Sequence, residues 1–108
     1  MNYELLLTRE TEKEVDRTIA YLANRSPQGA AAWCEQWENV LSELKRNPLQ
    51  HALAPESAKY DVEIRQILFK TRRGLKYRAL FTVVGRGVYV IHLRGPRQNL
   101  LRRDQLRP

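Results

Sequence analysis

Cysteine is nearly absent. Cys34 stands alone among 108 residues, so no internal disulfide can form. With two histidines in the whole chain, no Cys/His cluster has the spacing that holds zinc. No apolar run approaches the roughly 18–20 residues that span a bilayer. The first residues lack the basic-then-apolar succession of a secretory signal, so a reduced, cytoplasmic setting is expected. Glycine and proline, five each, are too few for a low-complexity linker, and there is no internal repeat.

Negative charge is the other scarcity, and it is local. Residues 65–108 hold twelve Lys/Arg against the single acid Asp104, a net of +11, whereas residues 1–64 hold seven against eleven, a net of −4. Ten of the twelve cations are arginine, with Lys70 and Lys76 the exceptions. Arginine's planar fork matches phosphate or carboxylate through two hydrogen bonds, which a lysine point charge does not. Such a half fits nucleic acid, an acidic protein partner or an anionic surface. A solvated basic face is the plain alternative for any single arginine. At 43% hydrophobic and 29% charged the chain fills a modest core, and its length suits one domain over 1–108.

The local patterns give an element order. Tyr3 to Leu7 is β-like. Thr8 is placed to cap a helix whose first turns carry Glu10, Glu12 and Glu14, where the helix dipole favours acids. Val15, Ile19, Leu22 and Ala23 form its apolar stripe, and it is expected to stop near Asn24. Ser26-Pro27 is a cap followed by a proline at the first helical position. The second helix then carries Ala30, Trp33, Cys34, Trp37, Val40, Leu41 and Leu44 on one face and ends before Asn47-Pro48. The short connection makes the two helices an antiparallel hairpin.

Residues 47–63 show no period and are expected to be a connecting loop. Strands are expected at Arg65–Phe69, Tyr77–Val84 and Val88–Arg94, the last two joined by the tight turn Gly85-Arg86-Gly87. The order β-α-α-β-β-β implies an α+β two-layer domain. The helical hairpin would cover one face of a small, mainly antiparallel sheet, leaving the other face to the arginines. Trp33 and Trp37, one turn apart, are core residues on this reading, as is Cys34.

Three features then carry a family likeness: the element order, the strand Tyr77-Arg78-Ala79-Leu80-Phe81-Thr82-Val83, and the run Val88-Tyr89-Val90-Ile91-His92-Leu93-Arg94-Gly95-Pro96-Arg97. With these the chain resembles the RelE/ParE superfamily of bacterial type II toxins, which includes plasmid stabilisation proteins. The resemblance implies growth inhibition and a cognate antitoxin whose C-terminal segment wraps the toxin. It also implies one of two mechanisms: RelE-like members are ribosome-dependent mRNA endoribonucleases, and ParE-like members poison DNA gyrase. Neither uses a metal or other cofactor.

Metal-independent RNA cleavage requires a base, an acid and cations at the phosphorus. By resemblance, Arg78 and Arg97 fall where the ribonucleases hold phosphate-stabilising arginines, and Arg65 near another basic position. Two departures matter. A second lysine of that set falls at Ile67, and the C-terminal tyrosine falls at Arg103, where a permanently charged arginine is no proton donor. His92 is the substitute acid or base, and strand alternation would place it with Val88, Val90 and Arg94. Its alternative is a partly buried histidine with a hydrogen-bond partner, and His51 is expected to be a surface residue. Lys70, Arg72, Arg73, Lys76, Arg94, Arg102 and Arg103 complete the candidate binding set. The departures favour the ParE-like mechanism, with RNA cleavage as the alternative. A basic nucleic-acid-binding domain without a toxin role is the third reading.

Overall fold

A computed structural model describes residues 2–72 and 74–96. Strand β1 (Glu4–Leu7) leads into helix α1 (Arg9–Arg25), then helix α2 (Pro27–Arg46) and strands β2 (Arg65–Phe69), β3 (Tyr77–Val84) and β4 (Gly87–Arg94). The Thr8 hydroxyl accepts the Thr11 amide at 3.2 Å and so caps α1. One serine makes the hairpin: the Ser26 amide donates to Leu22 O at 2.8 Å to close α1. Its hydroxyl accepts the Gly29 amide at 3.0 Å to open α2. Helix α1 therefore runs to Arg25, one residue past the expected Asn24, because Ser26 serves both ends.

The sheet order is β1-β4-β3-β2, with β1 parallel to β4 and the other pairs antiparallel. Both helices pack on one face. There Trp33, Trp37, Val40 and Leu44 of α2 meet Phe69, Ala79, Phe81, Val88, Val90 and Leu93 of the strands. Val15, Ile19 and Leu22 of α1 join them, whereas Ala23, expected on the same stripe, is exposed. Trp33 and Trp37 stack at 5.8 Å, with Phe69 and Tyr77 against Trp33 at 5.7 and 5.6 Å. Ring pairs of this kind add about 0.5–1.5 kcal/mol each beyond the area they bury. The β3–β4 turn has positive φ only at Gly85 (+60°), the pattern of a II′ turn, whose twist suits a hairpin.

Two expectations are corrected here. The face away from the helices is not left wholly open to arginines. The 3-10 turn Pro48–Gln50 stays beside the end of α2, and the chain then crosses the far face through the 3-10 turn Pro55–Lys59, tied by Ala54 N to Ile64 O and Gln66 N to Ala52 O at 2.7 and 3.0 Å. Ala54, Ile64, Leu80, Ile91 and Tyr60 form a second small core there. In addition, β3 and β4 shift register between Leu80 and Phe81: Phe81 pairs with Val90, but Leu80 pairs with His92. Ile91 is the extra residue of a bulge, which reverses the alternation beyond it. His92 therefore shares the far face with Leu80, not the helix face with Val88 and Val90.

The bulge also carries β4 beyond the end of β1, which reaches only Val90. Helix α1 takes over the exposed edge with a polar stripe at three-residue spacing. Thr8 Oγ1 donates to Ile91 O at 3.2 Å, Thr11 Oγ1 to Val90 O at 2.8 Å, and Glu14 Oε1 accepts the Leu93 amide at 2.8 Å. Buried backbone groups demand such partners, and here side chains stand in for a missing strand.

Candidate functional site

Arg78 leaves β3 on the far face and meets Glu56. Its Nη1 donates to Oε1 at 2.9 Å and its Nη2 to Oε2 at 2.5 Å, while Nη1 also donates to Gln66 Oε1 at 3.0 Å. The Glu56 side chain is fully buried and that of Arg78 is 15% exposed. Arg94 is the register partner of Arg78 and is half-buried. Burial pushes its guanidinium below the ordinary arginine value, Arg78 adds to that, and Glu14 and Glu56 oppose it.

His92 is 5% exposed, and its Nδ1 lies 3.3 Å from Glu14 Oε2. It occupies the buried, partnered situation that was its alternative reading. His51 is half-buried rather than a surface residue, with its ring edge-on to Phe81 at 6.2 Å.

Arg65 lies elsewhere. It pairs with Phe81, so it extends from the helix side of the sheet, the face opposite Arg78. Its Nη1 donates to His51 O at 2.7 Å and its Nη2 to Glu63 at 3.3 Å. Lys70, Arg72 and Lys76 are exposed on the β2–β3 loop. Arg73, Arg97, Arg102 and Arg103 lie outside the described residues. The candidates thus divide: Arg78, Arg94 and His92 share the far face, Arg65 is on the near face, and the lysines with Arg72 are at the loop edge.

Beside that loop runs a groove of about 910 Å³, with Trp33, Tyr77 and Leu22 among its apolar and aromatic walls and Arg17 and Arg25 among its charged ones. Arg25 lies over the Tyr21 ring at 4.5 Å. Trp33 is 2% exposed, and its buried Nε1 has no acceptor among the described residues. Burial pushes the Tyr77 phenol above its ordinary value, and Tyr21 adds to that. A groove between the helical hairpin and the sheet edge is expected from the sequence as the place where an antitoxin segment docks, whereas the two carboxylates, Glu14 and Glu56, are not in the sequence-derived set. The spacing Thr8, Thr11, Glu14 was a signal for the first carboxylate, since three polar groups on one helical face suggest a polar edge to satisfy. Glu56 lies in a stretch without periodicity and gave no signal.

No family model matches this chain, and no curated protein does. Among solved structures it is similar to a chain described as "Chromosomal ParDE TA system from P. aeruginosa". The TM-score is 0.66 at 17% identity, covering 86% of this chain and 95% of that one. The fold is thus the α+β, RelE/ParE-like arrangement that the sequence implied.

Proposed function

We propose that the chain is the toxin of a bacterial type II toxin–antitoxin pair, of the ParE-like kind. On this reading it binds DNA gyrase acting on DNA and breaks no bond itself. One observation carries the choice of mechanism: the described groups that RNA cleavage would need are engaged within the chain. Arg78 is held by Glu56, and the His92 ring is buried against Glu14. A general acid or base must come within hydrogen-bond reach of the substrate, and a ring 5% exposed offers little approach. Exposed Lys70, Arg72 and Lys76 suit polyanion contact, which needs charge and not proton transfer.

The partner is a cognate antitoxin. A groove walled by aromatic rings and carrying Arg17 and Arg25 on its rim suits an acidic segment that folds on binding. The cytoplasm is the setting, residues 1–108 act as one domain, and no cofactor enters the scheme. Among the described residues no helix is long and apolar enough to cross a membrane.

Brief induction in a bacterial host, with mRNA ends and DNA damage followed in parallel, tests the reading. An SOS response with trapped gyrase–DNA complexes is the expected result. New 5′ ends on translated messages, with DNA synthesis continuing, would instead establish the RelE-like ribonuclease. In that case a folded His92→Gln variant would lose roughly 10²–10⁴ of activity if His92 served as acid or base.

A further inference from the structure

Arg78 turns a two-pronged guanidinium edge to both oxygens of Glu56, which is the geometry in which arginine takes a phosphate. Glu56 reaches it from a segment firmly laid on the sheet. Ile64 N donates to Ser57 Oγ at 2.9 Å, Ala54 N to Ile64 O at 2.7 Å, and Ala54 packs into the second core with Leu80 and Ile91. Arg94 stands in the same field, acted on by Arg78, Glu14 and Glu56. The formal charges of these two arginines and two carboxylates cancel. The half of the chain that carries +11 thus meets carboxylates from the acidic half at the middle of its sheet.

We propose that Glu56 sets the ligand specificity of this face: from within the chain, its carboxylate occupies the place a phosphodiester oxyanion would take on Arg78. The face is thereby closed to nucleic-acid backbones, and polyanion contact is left to peripheral cations such as Lys70, Arg72 and Lys76. The inference deepens the reading of target binding without RNA cleavage. Its test is made on purified protein, so its failure would leave the induction assay to judge that reading separately.

Glu56→Ala removes the anion and leaves room on the fork. The double variant Glu56→Met with Arg78→Met removes both charges and keeps the space filled. The chain and both variants are titrated with a labelled uridine oligomer of about 20 nucleotides over a range of salt. Each is also melted in inorganic phosphate and in chloride of equal ionic strength.

The expected result is that Glu56→Ala binds the oligomer about tenfold more tightly, with a salt slope steeper by about 0.7 for one added phosphate contact. It also melts higher in phosphate than in chloride. The original chain and the double variant agree within about twofold and show no such phosphate response, since the Arg78 fork is occupied in the one and removed in the other. A folded Glu56→Ala with unchanged affinity and no phosphate response would overturn the proposal. So would a double variant that loses about tenfold, because Arg78 would then already be holding phosphate. Should Glu56→Ala fail to fold in both salts, the double variant decides: parity upholds the proposal and a tenfold loss ends it.

Discussion

Replacing Glu14 probes the junction on which the far end of β4 depends. Its Oε1 accepts the Leu93 amide at 2.8 Å, and its Oε2 lies 3.3 Å from His92 Nδ1. The carboxylate side chain is only 10% exposed and the histidine 6%, so water does not readily replace either contact. A hydrogen bond to a charged acceptor contributes about 1.5–3 kcal/mol, and the longer contact to the ring about 0.5–1.5. Glu14→Ala removes both and leaves a buried amide and a buried ring nitrogen without these partners, so a loss of about 3 kcal/mol is expected. In a domain of this size that is a fall in Tm of roughly 12–24 °C. Glu14→Gln keeps a carbonyl for Leu93 and an amide for the ring, and should cost about 1–1.5 kcal/mol. Urea unfolding followed by circular dichroism measures both, with the slope m unchanged if only the native state is affected. A Glu14→Ala variant within about 0.5 kcal/mol of the original, the range of ordinary surface changes, would refute the account of α1 as the partner of the β4 edge.

Two further outcomes are expected. Ser26→Ala removes the acceptor for the Gly29 amide and should cost about 1 kcal/mol, the usual worth of an N-cap, readable in the same urea assay; an unchanged midpoint would mean that the proline at the first position of α2 suffices. Burial raises the Tyr77 phenol above the tyrosine value of 10.0, so the folded state binds that proton more tightly than the unfolded chain. The resulting stability is complete below the unfolded value and is lost as pH rises through the folded one. Stability should therefore fall from about pH 10 upward, and Tyr77→Phe should make that fall shallower in melts across the alkaline range; an identical decline in the variant would assign it to other groups.

The helical hairpin was legible because its signals are local. Thr8 and Ser26 are caps whose hydroxyls reach amides three residues on, and the Trp33, Trp37, Val40, Leu44 stripe needs only the helical period to be seen. The strands were legible too, to within one residue at Tyr3 and at Gly87, and Gly85 marks the turn wherever the hairpin sits. The charge division was written in the composition. What the sequence by itself determined was thus the kinds of element, their order and the excess of positive charge in the second half.

Which face each charge occupies was decided by long-range pairing. The bulge at Ile91 depends on how β4 meets β3, and it alone moves His92 away from Val88 and Val90. The placement of Glu56 depends on an aperiodic segment finding a sheet face built by residues 22 positions further along the chain. Burial is what makes that meeting matter. In water an exposed arginine is a free cation, but one enclosed by a sheet and a strap of chain requires a counter-charge. Only the tertiary structure set Glu56 against Arg78 and Glu14 against His92, giving residues that the sequence offered for chemistry partners within the fold.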